Sequence, residues 1–202
     1  MLERGYAAVT IEGIAARAGV GKQTIYRWWR SKNAVMLDML VEGRKRNAPS
    51  FQDTGDFRAD LSHLLCNTVR VIRDPAQGPL LRAALGEAQI DTDLHEAYME
   101  AIFRPTREAY RRRLDAAREN GEIDDHVTDD AVLDMAFGPI WFRALTRPAT
   151  LTTEFAAEIA SRVTASVRPV QVPQGPQAGD PVHRERPVQD PAQRAAAPAE
   201  DR

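Results

Sequence analysis

Residues 18–29 read AGVGKQTIYRWW. A glycine-flanked corner precedes a short run of Lys, Gln, Thr, Tyr and Arg, and two tryptophans close it. Two chemistries compete for such a corner. A phosphate loop needs G-x-x-x-x-G-K-[ST], so that backbone amides meet phosphates and a hydroxyl meets magnesium. Here Ala16 stands five residues before Gly21, Gln23 follows Lys22, and no strand pattern leads in. The nucleotide loop fails on each count. The alternative is two short helices meeting at a tight turn, the second displaying polar side chains.

The flanking residues support the second reading. Thr10 stands at an N-cap position before a helix over 11–18, whose Ile14, Ala15 and Ala18 share one face. Ala15 and Ala18 are small enough for a close helix crossing. Gly19 can take the left-handed conformation that ends a helix, and Val20 is expected to plug the corner. The second helix, 22–28, starts after Gly21, a weaker cap than serine. Ile25 and Trp29, four apart, face inward. Lys22, Gln23, Thr24, Tyr26, Arg27 and Trp28 are left outward, a set that suits both base edges and phosphates. Ser31-Lys32 opens a third helix whose first amides and ammonium can hold a phosphate.

Over residues 5–37 the chain, GYAAVTIEGIAARAGVGKQTIYRWWRSKNAVML, resembles the DNA-binding segment of the tetracycline-repressor (TetR) family of bacterial regulators. Gly5-Tyr6, Thr10, Ile14-Ala15, Ala18-Gly19-Val20, Thr24, Tyr26, Trp29, Lys32 and Leu37 carry the likeness. The resemblance implies that Lys22, Gln23 and Arg27 approach bases. It also implies that Thr24, Tyr26 and Lys32 lie on the phosphate backbone, with Thr10, Gly21 and Trp28 completing the surface. Two departures stand out. Gly21 replaces the serine common before the second helix, and only MLER precedes Gly5-Tyr6 where the family has a whole amphipathic helix. Helices as short as 11–18 and 22–28 rely on packing, so a start upstream of Met1 is expected.

Charge follows the same division. Residues 1–46 hold nine Lys/Arg against four Asp/Glu, whereas the whole chain carries a net charge of −2. A basic head on an acidic body is the footprint of a protein whose head alone meets a polyanion. No stretch is long and apolar enough for a membrane span, no secretory signal opens the chain, and Cys66 is the single cysteine. A cytoplasmic protein is the natural reading.

The remainder reads as all-α. Apolar residues recur at helical spacing over 32–46, 57–73, 78–89, 94–119, 130–146 and 153–167. Ser31, Asp129 and Thr152 stand where caps belong. Three regions follow: a helix-turn-helix head (1–46), a helical body (57–168) and a Pro-rich tail (169–202). The tail holds seven of the 13 prolines and no Leu, Ile, Met or aromatic residue, and is expected to be disordered.

In the body, ENGEIDDHVTDDAVLDMAFGPIWFRAL (119–145) and LTTEFAAEIASRV (151–163) resemble the last two long helices of one TetR subgroup, which implies a homodimer formed through 130–146 and 153–167. The residues themselves agree: Val132, Leu133, Met135, Phe137, Ile140, Trp141, Phe142 and Leu145 spread too widely for one buried face. Pro139 is expected to kink this helix. The resemblance further implies a small-molecule effector, with His63, Cys66, Met99, Phe103 and Trp141 as candidate lining. Ordinary core packing is the competing reading of those five. The histidines show no metal spacing, and no cofactor is expected. The basic run 104–118 reads as a solvated face rather than a second nucleic-acid site. The function expected is a dimeric transcriptional repressor released by a small ligand. The alternatives are a ligand-independent architectural DNA-binding protein and a helical-bundle enzyme, for which no acid/base pair, nucleophile or metal set is present.

Overall fold

The computed structural model describes residues 6–47, 50–147 and 149–169. The expectations for residues 1–5 and for the tail beyond Pro169 fall outside these residues. The described residues are helical: α1 (Ile11–Ala18), α2 (Lys22–Trp28), α3 (Lys32–Asn47), α4 (Phe57–Arg73), α5 (Gln77–Glu87), α6 (Thr92–Tyr98), α7 (Arg104–Glu119), α8 (Asp129–Thr146) and α9 (Thr153–Val167).

Short oxygen-bearing side chains start several of these helices. Thr10 accepts from the Gly13 amide, Ser31 from Ala34 and Thr152 from Phe155, each satisfying an amide that has no partner inside its helix. The cap of α8 is Thr128, not Asp129. Thr128 holds the extended backbone a cap requires and accepts from Ala131, which leaves Asp129 inside the first turn. Asp129 instead accepts from Arg118.

The single helix expected over 94–119 is divided. α6 begins earlier, and a π-helical turn at Met99–Phe103 joins it to α7. Pro105 lies just inside α7 and has no amide to donate, so the regular ladder cannot run through it. Pro139 sits inside α8 without ending it.

Three apolar clusters build the interior. The largest joins Leu61, Leu65 and Val69 of α4 to Leu114 of α7, Val132 and Ile140 of α8, and Ala160 of α9. A second joins Met36 and Leu40 of α3 to Leu80 and Ala84 of α5 and Tyr98 of α6. The third holds the head: Ile11, Ala15 and Ile25, with Ile14, Trp29 and Val35 at its edge. Gly78 allows α5 to begin hard against the end of α4. A Cβ there would stand 2.0 Å from the Ile72 carbonyl oxygen.

The basic run 104–118 is not simply a solvated face. Arg113 is 2% exposed, donating to Asp60 at 2.7 Å and to Glu122 at 3.1 Å. Arg107 pairs with Asp130, and Arg118 with Asp129.

Candidate nucleic-acid interface and helical cavity

The head corner is built by backbone geometry. Gly19 adopts φ 69° at the end of α1, a conformation that costs a residue with a Cβ roughly 1–2 kcal/mol. The Val20 amide then reaches back to the Ala15 carbonyl at 3.1 Å. Ala15 is buried under the crossing and Ile25 packs beside it. Ala18 is exposed, and Val20 is 40% exposed. Ala15 alone provides the small contact, and Val20 caps the corner from outside instead of filling it.

Ile25 is the buried residue of α2, so the helix turns its remaining side chains outward. Lys22, Gln23, Thr24, Tyr26, Arg27 and Trp28 are all exposed, Trp28 at 72%. Thr10 and Gly21 are exposed at the starts of α1 and α2. Trp29 is half-buried, and its indole N–H donates to Asp38 at 3.2 Å, fixing the end of α2 to α3. A seven-residue helix held by one buried anchor and one such tie presents a continuous polar face. Its donors match base edges and phosphates.

Lys32, in the first turn of α3, lies 4.6 Å over the Tyr6 ring. Tyr6 also donates through its hydroxyl to Asn33 at 2.6 Å, and the Asn33 amide donates to Asp91 at 2.7 Å. Asp91 caps α6 through the Leu94 amide. The start of the head, the start of α3 and the start of α6 are thus tied by one hydrogen-bonded chain. Burial and the nearby charges of Glu87 and Asp91 push the Tyr6 hydroxyl up to about 12, so it stays a donor near neutrality.

A cavity of about 500 Å³ opens between α3, α4, α5, α7 and α8, with the end of α6 and the π turn completing its wall. Of the five residues expected to line an effector pocket, Phe103 and Trp141 line this cavity, and His63, Cys66 and Met99 are not among its walls. His63 is exposed on α4. The Cys66 thiol donates to the Thr153 carbonyl at 3.4 Å against α9, and Met99 sits half-buried in the π turn. Spacing along one helix does not reveal which turn faces a void shared by several. The walls include residues that sequence reasoning passed over: Met39, Arg44, Tyr98, Tyr110 and Phe137. Arg44 carried a signal, since it follows Met36 and Leu40 at helical spacing on an otherwise apolar face.

α8 divides its broad apolar set three ways. Val132, Leu133 and Ile140 are buried. Phe137 and Trp141 are half-buried and line the cavity. Met135, Phe142 and Leu145 remain exposed at 38%, 61% and 49%.

Comparison with known proteins agrees with this geometry. Residues 1–39 match the model for bacterial regulatory proteins of the tetR family, and residues 51–163 match that for the tetracyclin repressor-like C-terminal domain. The chain is 32% identical over 145 residues to the HTH-type transcriptional regulator YdeS of Bacillus subtilis, covering 72% of each chain. It is 29% identical over 156 residues to the HTH-type regulator Rv1556 of Mycobacterium tuberculosis, covering 75% of this chain and 74% of the other. Among solved structures, the TetR family regulator SCO0332 superposes with a TM-score of 0.67 at 32% identity, over 81% of this chain and 89% of that one.

Proposed function

We propose a function for this chain from the family to which it belongs, the tetracycline-repressor (TetR) family of bacterial transcriptional regulators. It is a helix-turn-helix regulator and not an enzyme. Our reading goes further: a cytoplasmic homodimeric repressor that holds a near-palindromic operator through two copies of α2 and releases it when a small molecule fills the cavity. Lys22, Gln23 and Arg27 read bases, Thr24, Tyr26 and Lys32 hold phosphates, and α8 with α9 joins the protomers.

One observation carries this reading. Helix α3 begins at Lys32 beside the polar face of α2 and ends along the cavity wall at Met39, Leu40, Gly43 and Arg44. The twelve residue-to-residue steps from Lys32 to Arg44 span about 18 Å of rigid helix. A ligand that moves the far end moves the near end too, and two discrete positions of α3 would give operator affinity two values. The exposed Met135, Phe142 and Leu145 recur at helical spacing, as a partner face requires.

Fluorescence anisotropy of the full chain on the DNA flanking its own gene is the test. Sequence-specific binding of two protomers per site, sharply weakened by salt, is expected. Equal affinity for every duplex of the same length would replace this reading with that of an architectural protein.

A further inference from the structure

We infer that the molecule fitting the cavity is an anion, a carboxylate on an apolar body, held at its charged end by Arg44; this rests on the reading of the cavity as the effector site. The cavity walls are mostly apolar, with Leu80, Ile102 and Phe103 among them. Set into those walls is a guanidinium whose Nη1 is buried and has no hydrogen-bond partner among the described residues. Arg44 makes no ion pair there either, whereas Arg107, the other arginine of the lining, is held by Asp130. The contrast with Arg113 is instructive: its Nη1 is likewise unpartnered, but its charge is balanced by Asp60 and Glu122. Arg44 is half-buried, and a cation beside an apolar space that no carboxylate balances is left for an arriving anion to pair.

Tyr110 supplies a second donor. It lines the cavity near Arg44, and its ring stacks on Phe137 with centroids 5.8 Å apart. Burial pushes its hydroxyl up to about 12, with the Arg44 charge opposing, so the phenol is protonated at neutral pH and can donate to a carboxylate beside the guanidinium. The one carboxylate of the lining, Asp134, is exposed. Solvent screens its charge, which weakens its opposition to an anion held by Arg44. A volume of this size accepts a drug-sized molecule.

Three probes of one chain length separate charge from apolar fit: decanoate, 1-decanol and decylammonium. Each is titrated into the full-length protein at about pH 7, following the emission of Trp141, which lines the cavity. A Trp141→Phe variant identifies the contribution of Trp28 and Trp29. Decanoate is expected to bind at least about tenfold more tightly than decanol, as a charge-assisted pair in a dry site allows, and decylammonium more weakly than either. Arg44→Met should keep decanol affinity and abolish the carboxylate preference, and Arg44→Lys should restore part of it. Circular dichroism confirms that both variants fold. Equal binding of decanoate and decanol to the wild type overturns the inference and leaves the cavity reading standing, as does a preference for decylammonium. A Trp141 signal unmoved by all three overturns both.

Discussion

The Asn33 side-chain amide donates to the Asp91 carboxylate at 2.7 Å, across 58 residues of sequence. Asn33 belongs to the first turn of α3, the helix that follows α2, and Asp91 caps the helix leading into the cavity wall. Hydrogen bonds from the Leu94 amide and from Asn33 hold the Asp91 carboxyl below its ordinary value. A carboxylate depressed in this way contributes stability above its unfolded pKa and loses it as pH falls through the folded one. Asn33→Ala should therefore move the Asp91 carboxyl upward in an NMR titration. Amide hydrogen exchange across α1 to α3 should speed up while far-UV circular dichroism stays unchanged. Unaltered exchange in the head would mean that the tie does not restrain it.

The proposed reading gives Gln23 of α2 and Lys32 of α3 two different kinds of contact. Gln23→Ala should cost about 1–3 kcal/mol on the true operator and relax the preference at one base pair per half-site. Lys32→Ala should weaken binding to all sequences alike and flatten its salt dependence. Binding curves for operator variants across salt concentrations distinguish the two. Identical sequence-independent losses would overturn the assignment of Gln23 to bases.

Gly21 offers a gain. It precedes α2 with φ −71° and no side-chain cap, and a Cβ there meets nothing within 4 Å. Gly21→Ser should stabilise the chain by about 0.5 kcal/mol, partly by capping α2 and partly by narrowing the unfolded ensemble. Thermal unfolding measures this. A lower melting temperature would mean that the head needs the glycine for something other than its conformation.

The head was readable because its information is local. Caps, a left-handed glycine and a four-residue apolar spacing each act within one turn, so Thr10, Ser31, Gly19 and Ile25 were legible. What escaped depends on distant packing. Phe137 and Trp141 are as apolar as Phe142, yet the first two face the cavity and the third faces outward. Only the placement of α4 and α7 against α8 decides that. Arg113 is likewise one of three consecutive arginines, and burial selects it through Asp60, a residue 53 positions away.

That buried pair has its own signature. Burial pushes the Asp60 carboxyl up, but hydrogen bonds from Thr54 and Arg113 outweigh it and hold the group below its ordinary value. Its stabilisation is present above the ordinary carboxylate range, near pH 4, and is lost as pH falls through the depressed value. Asp60→Asn should cost about 3 kcal/mol at neutral pH, because it removes a charge that balances buried Arg113. Urea unfolding at neutral and acid pH checks both claims. The difference between variant and wild type should shrink on acidification, and a constant difference would exclude the ionised pair as its source.

The last prediction concerns assembly. Phe137 and Trp141 would be poor probes of a dimer interface, because both line the cavity and a charge at either would disturb the protomer's own interior. Phe142 is the sharper choice. It is 61% exposed on α8, one turn from Leu145 and two from Met135, both also exposed. Facing a second copy, these three would bury apolar area on both chains, and a charge placed among them would be desolvated without a partner. Phe142→Asp should thus yield a monomer by sedimentation at micromolar concentration while leaving the helical signal intact. Operator affinity should fall with it, since a near-palindromic site is read by two heads held at fixed spacing. A variant that still sediments as a dimer would move the interface off this face of α8, and a wild type that is itself monomeric would remove it altogether.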